Sequence, residues 1–275
     1  MTNSEVYRHP QHYALGYRWN TEAECAFIES CVERYGPAGA RRLLDIGCGS
    51  GRHLVTLAQR GLQVHGIDVS PEMVAYVQEQ IRTARLSATV AVGDLRRLAL
   101  EGAYDAAFCF MDTFRFLLTN AEILAHLRAV AEHLTPGGLY LTDFWVPRRW
   151  EAIGSEVHQW EQAEGGRTVR VFYLQHPDSV DPVAQTFDDE LVFEVKDGGE
   201  PQTIQGGRTR TRLILPQEFL ALVEASGVFE PVGVFGEFAL EKPLAPGSLS
   251  WRMISVLRRS TPAERTGDGQ AQPAA

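Results

Sequence analysis

The sequence predicts a doubly wound α/β fold, a mostly parallel sheet with an antiparallel β insertion after the fifth strand. Three observations carry that expectation. Between residues 42 and 144, short apolar runs alternate with stretches of helical spacing, as in a parallel sheet wound by crossover helices. The first run, LLDIGCGSGRHL at residues 43–54, breaks from a strand into glycines at alternate positions and then enters a helix. After residue 155 the texture changes to short runs of alternating apolar and polar residues, separated by Gly, Pro and Asp.

Residues 21–33 read as a helix with Thr21 as its N-cap, ending near Gly36-Pro37. The first strand, the glycine loop and a helix stopped by Gly61 occupy 42–61. Residues 62–68 alternate as a second strand ending in Asp68, and Ser70-Pro71-Glu72 opens the helix of 73–84 with a serine cap and a proline in the first turn. A third strand spans 87–92, a fourth 105–110, a helix 120–134, and a fifth strand 139–144 follows a turn at Pro136-Gly137-Gly138. The runs VHQWEQ, RTVRVFYLQ, DELVFEV and RTRTRLIL are antiparallel strands, with turns at Gly165-Gly166, Pro177-Asp178, Asp197-Gly198-Gly199 and Gly206-Gly207. Residues 216–227 form a helix with proline in its first turn and a glycine stop, and strands near 230–240 and 250–257 complete the main sheet.

Glycines at alternate positions let something approach the backbone closer than a Cβ allows. A dinucleotide fingerprint needs a third glycine where Arg52 stands, and a P-loop needs Lys-Ser/Thr after Gly51, so neither phosphate motif fits. Asp45, at the end of the strand, repels a pyrophosphate and suits a ligand bearing an amine or sulfonium. Successive strands end at Asp45, Asp68, Asp94 and Phe110-Met111-Asp112, a row of hydrogen-bond acceptors along the edge where such sheets bind ligands.

LLDIGCGSG, VHGIDVSPEMV, VAVGDLRRL and the stretch from Tyr104 to Phe144 together resemble the class I S-adenosylmethionine-dependent methyltransferases, over roughly residues 13–144. The resemblance implies a Rossmann-like core and S-adenosyl-L-methionine as cofactor. Its cofactor-binding residues here are Gly47, Gly49 and Gly51 of the loop, Asp45 toward the methionine amino group, and Asp68 taking both ribose hydroxyls. Asp94 faces the adenine amine between Val69 and Leu95, Phe110 joins the set, and Arg18 pairs with the methionine carboxylate. The antiparallel insertion resembles that of small-molecule methyltransferases with a β-sheet lid over the active site.

On this reading residues 1–36 are an N-terminal arm and helix covering the cofactor, 37–150 the binding core, 151–215 the insertion, 216–259 the C-terminal helix and strands, and 260–275 a disordered tail. The arm carries Tyr7, His9, His12, Tyr13, Tyr17 and Arg18, rings that either fold over a sulfonium or pack on the core. Asp112 is the candidate catalytic base, and the alternative for it is a cap of the turn that follows. His126 and His133, seven apart on one helix, have no third ligand, so no metal is expected. Arg208, Arg210 and Arg212 alternate on one strand as a solvated face or a contact for an anionic acceptor.

Net charge −9 argues against a nucleic-acid partner, and no apolar run reaches the about 18 residues of a membrane span. MTNSEVYRHP lacks a signal-peptide pattern and the four cysteines read as reduced, so a cytoplasmic monomer or homodimer is expected. The expected activity is methyl transfer to N or O of a small-molecule acceptor. The alternatives are a methyltransferase acting on RNA or protein, against which the lack of an Asn/Asp-Pro-Pro-Tyr/Phe tract counts, and a non-catalytic cofactor-binding protein of the same fold.

Overall fold

The computed structural model describes residues 5–248 and 250–260. Helix α1 (Pro10–Gly16) and helix α2 (Thr21–Tyr35) precede strand β1 (Arg42–Ile46). Then come α3 (Arg52–Gln59), β2 (Gln63–Asp68), α4 (Pro71–Ala84), β3 (Ala88–Val92), β4 (Tyr104–Cys109), α5 (Asn120–Glu132) and β5 (Leu134–Trp145). The insertion is β6 (Val157–Glu164), β7 (Arg167–Asp181), β8 (Thr186–Asp197) and β9 (Gln202–Arg212), and the chain finishes with α6 (Pro216–Ser226), β10 (Phe229–Phe235) and β11 (Arg252–Arg259). Of the expected tail, 260–275, Ser260 is described and donates its N–H to Val228 O at 3.0 Å, and 261–275 lie outside the described residues.

One sheet has the order β10-β11-β5-β4-β1-β2-β3, with β1 to β5 parallel and β10 and β11 antiparallel. Strand order reverses between β1 and β4, so the crevice beyond their carboxyl ends is the ligand-binding position of a doubly wound sheet. Adjacent residues of a strand point to opposite faces. Leu44 packs with Ile123, Leu127 and Phe219 from α5 and α6, whereas Leu43 packs with Ile28, Leu57 and Val77 from α2, α3 and α4. Ser70 caps α4 through Met73 N–H, and Thr119 with Glu122 forms a capping box on α5.

The second sheet, β6-β7-β8-β9, buries Val169, Val171, Phe193 and Val195 against Val6, Leu15 and Tyr17 of the N-terminal arm. The arm therefore supplies the second layer that a sheet face needs.

Several expected boundaries shift. Asn20, in the left-handed region at φ 63°, is the N-cap of α2 in place of Thr21, whose hydroxyl accepts from Arg52 and donates to Arg18 O. Pro136-Gly137-Gly138 interrupts no strand: Leu134 pairs with Tyr104 and Leu139 with Ala106, so the turn is absorbed as an irregularity within β5. Pro177-Asp178 lies within β7, beside a register shift between His176 and Asp181. Gly206-Gly207 sits inside β9 at a bulge opposite Glu190–Val192 rather than at a hairpin end.

Candidate active site

The loop after β1 adopts φ of 74°, 54° and 79° at Gly47, Gly49 and Gly51, a conformation L side chains rarely take. Gly47 and Cys48 donate their N–H groups to Ile67 O at 2.8 and 2.9 Å, binding the loop to β2. A Cβ at Gly47 would stand 2.5 Å from Thr113 Cγ2, and one at Gly51 would stand 2.7 Å from Val77 Cγ2. The close approach at these two glycines is therefore by the protein's own side chains. At Gly49 the nearest group is the Tyr13 ring of the arm, 3.6 Å from such a Cβ.

Asp68 ends β2 and closes the same loop. Its Oδ2 accepts from Gly49 N–H at 2.8 Å and its Oδ1 from Ser70 N–H at 2.9 Å, Val69 N–H is a further backbone donor, and a carboxylate of about four acceptor positions keeps room for a hydroxyl. Burial pushes its pKa up, against the pull of these backbone donors. Asp45 is buried, and its Oδ2 has no hydrogen-bond partner. Desolvation raises its carboxyl to about 8, partly offset by the Arg52 guanidinium. A buried carboxylate oxygen without a donor, beside a glycine loop whose Asp68 keeps lone pairs, fits a ligand bearing an amino group and a diol, and the S-adenosylmethionine chemistry meets both.

The other expected cofactor contacts are engaged elsewhere. Both Asp94 oxygens accept from Arg96, which also holds its pKa below the ordinary value. Leu95 is buried in the core while Val69 is 39% exposed, so the two do not form matched walls. Phe110 packs among Phe108, Phe238 and His53. Arg18 donates to Glu164, to Ala163 O and to Gln162 at the end of the β6–β7 hairpin, because its position just past α1 faces the insertion.

Beyond β4 and β5 the core, the insertion and the segment between β10 and β11 line an open cavity of about 1410 Å³. Tyr7, Tyr13 and Tyr17 form its wall toward the glycine loop. Tyr13 stacks on Tyr17 at 4.4 Å, Tyr17 meets Trp160 edge-on at 5.3 Å, and Trp160 Nε1 donates to Gly16 O at 2.7 Å. Burial raises the Tyr7 and Tyr13 hydroxyls above their usual pKa, and the Asp68 charge adds to both shifts. The arm thus stands between the glycine loop and the cavity, touching both.

Asp112 lines this cavity at φ 61°, one residue past Met111 at φ 60°. Its side chain does not cap the following 3-10 turn. Its Oδ1 instead accepts from Trp145 N–H at 2.6 Å, tying the end of β4 to the end of β5. Three residues on, Arg115 is fully buried. It donates to Arg212 O at 2.8 Å, to the Tyr173 hydroxyl at 3.0 Å and to the Thr211 hydroxyl at 2.9 Å, and stands 3.3 Å from Asp189 Oδ2 and 3.9 Å from Asp112 Oδ1. Its sequence signal was a basic residue in FMDTFRF, directly after a strand-end carboxylate. Tyr173, Asp189 and Thr211 carried none, since alternation alone does not say which polar residue of a strand faces inward.

The three arginines of β9 separate. Arg208 pairs with Asp178 and Arg210 with Asp188 at the surface, while Arg212 is buried and bridges Glu218 and Asn120. Behind the loop, His53 Nε2 lies 2.6 Å from Glu24 Oε2, which also pairs with Arg52. Burial pushes the His53 pKa down to about 4, and the same cause takes His126 to about 4. All four cysteines are free and buried. Among the described residues, no three His, Cys, Asp or Glu side chains group as a metal site, and no helix is long and apolar enough to cross a membrane.

A family profile described as "Methyltransferase domain" matches residues 43–138. The chain is 31% identical over 178 residues to a dTDP-3-amino-3,6-dideoxy-alpha-D-glucopyranose N,N-dimethyltransferase from Streptomyces fradiae, covering 59% of this chain and 67% of that one. It is 30% identical over 118 residues to a putative methyltransferase from Geobacillus, covering 43% of this chain and 48% of that one. Matches to several other curated relatives likewise span about half the relative's length. Among solved structures, a SAM-bound amino pentose methyltransferase from Micromonospora echinaspora superposes with a TM-score of 0.65 at 27% identity, over 88% of this chain and 92% of that one. An S-adenosylmethionine-dependent methyltransferase from Clostridium acetobutylicum shares the fold with a TM-score of 0.71 at 16% identity, over 87% and 92%.

Proposed function

We propose that this chain, which belongs to the S-adenosylmethionine-dependent methyltransferases, transfers a methyl group to a nitrogen or oxygen of a small-molecule acceptor held between its core and its β insertion. The observation that carries this reading is the cavity: a volume of about 1410 Å³, walled by the aromatic arm, the ends of β4 and β5, and the insertion sheet. Clefts and cavities of several hundred Å³ or more, mostly apolar with a few placed polar groups, hold small molecules. Neither a folded protein nor an RNA helix enters such a space whole.

When bound, S-adenosylmethionine supplies a methyl carbon on a positive sulfur, open to attack by a lone pair without any covalent bond to the protein. The chain's own residues position and desolvate. Asp45 and Asp68 hold the cofactor on the glycine loop, and Tyr13 covers that loop. The arm, stacked on itself and pinned to the insertion through Trp160, excludes water from the region between loop and cavity. Asp112 stands on the cavity wall, fixed by Trp145 N–H, with one oxygen left to accept a proton from the acceptor. Acceptor and enzyme meet in the cytoplasm in this reading, with no membrane or nucleic acid involved.

The test is a fractionation. Methyl-labelled S-adenosylmethionine is added with the protein to a cell extract, and the label is followed into the small-molecule, RNA and protein fractions. Enzyme-dependent label in small molecules is the expected outcome; label confined to RNA or protein overturns the acceptor class.

A further inference from the structure

We propose that Asp189, on the insertion, is the carboxylate that recognises the acceptor, and that the group it takes is an amine presented as a cation. The proposal rests on the small-molecule methyltransferase reading above and names the chemistry its cavity selects.

The hydrogen bonding of Asp189 is lopsided. Its Oδ2 accepts from the hydroxyls of Tyr173 and Thr211 and lies 3.3 Å from an Arg115 nitrogen, whereas its Oδ1 is buried with no partner. Buried carboxylate oxygens ordinarily find donors, and one left bare is costly. Neither hydroxyl of this network has a donor to spare for it, and the nearest Arg115 nitrogen faces Oδ2. The Tyr173 hydroxyl accepts from Arg115 and gives its one proton to Oδ2, and the Thr211 hydroxyl does the same. The residue forms part of the cavity wall, so a molecule bound there can bring the missing donor.

Charge points the same way. Arg115 brings one positive charge, fully buried, to two carboxylates, Asp189 at 3.3 Å and Asp112 at 3.9 Å. Arg212, beside Thr211, is already paired with Glu218, and His176 with Glu190. The cluster of Arg115, Asp112 and Asp189 therefore carries one negative charge in excess, while Arg148 and Arg149, just past β5, and Glu156 and Glu190 line other parts of the same cavity. A neutral hydroxyl brings a donor and leaves that charge unmatched, while an ammonium brings both. Aromatic rings of the same wall, Tyr7, Tyr17 and Trp145, add faces that attract a cation. Asp189 and Asp112 share the Arg115 guanidinium, which sets Asp189 on the same stretch of wall as the proposed base past β4.

Two probes of matched shape test this on the full chain loaded with S-adenosylhomocysteine: cyclohexylamine, a cation at neutral pH, and cyclohexanol. Binding is read by saturation-transfer NMR on the wild type and on Asp189→Asn, with S-adenosylhomocysteine titration of each protein beforehand. The wild type is expected to bind the ammonium about 10-fold better than the alcohol, and Asp189→Asn to abolish that preference, as the loss of one charge-assisted hydrogen bond implies. Equal binding of the two probes by the wild type, no ammonium binding, or a preference that survives in Asp189→Asn each overturns it. Should Asp189→Asn fail to bind S-adenosylhomocysteine, Asp112→Asn removes the neighbouring charge outside the buried network and is expected to lower ammonium binding about 3-fold; unchanged binding there overturns the charge argument. If the wild type binds no S-adenosylhomocysteine, the family function itself fails, an outcome distinct from loss of amine preference in a protein that does bind it.

Discussion

At the scale of single residues, the two aspartates proposed to hold the cofactor leave different signatures. Asp68→Ala removes two acceptors for a ribose and also strands the N–H groups of Gly49 and Ser70. Affinity for S-adenosylhomocysteine is expected to fall by about 2–4 kcal/mol, with a lowered Tm. Unchanged affinity by calorimetry contradicts the ribose role. Asp45 titrates. Its folded value near 8 stands above the ordinary 3.8, so between those values the folded chain keeps a proton that the unfolded chain has released. Its stabilisation is therefore present at low pH and lost as pH rises through 8, and Asp143, raised by burial, acts in the same direction. His53 and His126, depressed to about 4 from 6.5, act oppositely, adding stability as pH rises from 4 to 6.5. Between pH 6.5 and 8 denaturant stability is thus expected to decline with a slope that Asp45→Asn reduces; a parallel slope in that variant contradicts the assignment. The place of Asp45 and Asp68 beside the glycine loop was legible because a carboxylate ending an apolar strand is visible in one dimension. The pairing of Arg18 with the hairpin was not legible, because its partners, Gln162, Ala163 and Glu164, lie more than 140 residues away on a hairpin whose placement no local pattern encodes.

At the scale of elements, the glycine loop is a packing device whatever it binds. Gly47→Ala meets both a positive φ and the Thr113 methyl at 2.5 Å, and is expected to cost about 2 kcal/mol or more. Pairing it with Thr113→Ser removes the clashing methyl and is expected to recover part of that loss, leaving the φ cost. A double-mutant cycle with no coupling contradicts the contact. The arm makes a kinetic prediction: Tyr13→Ala removes the ring over Gly49 and the stack on Tyr17, so S-adenosylhomocysteine should dissociate faster by about 10-fold, for a loss on the order of 1.4 kcal/mol. Stopped-flow release at the wild-type rate contradicts a covering role. Strand and helix identities were legible from period and capping, as at Ser70 and Thr119. The bulges at Pro136–Gly138 and Gly206-Gly207 were not, because Gly and Pro mark a backbone exception without saying whether the chain reverses or merely kinks.

At the scale of the whole molecule, two sheets are joined by an arm and a buried cation. The arm fills the apolar face of the insertion, and Arg115 reaches from the end of β4 to β7, β8 and β9. The doubly wound core was legible because each strand–helix unit is local in sequence. How the insertion meets the core was not, because it depends on pairs such as Arg115 with Thr211, 96 residues apart. The central claim, that this architecture binds a sulfur nucleoside on its glycine loop, is tested most directly by calorimetric titration of the full chain with S-adenosylmethionine, S-adenosylhomocysteine and NAD in parallel. Saturable binding of the two sulfur nucleosides, with no heat from NAD, is the predicted result. Binding of NAD alone, or of none of the three, contradicts it.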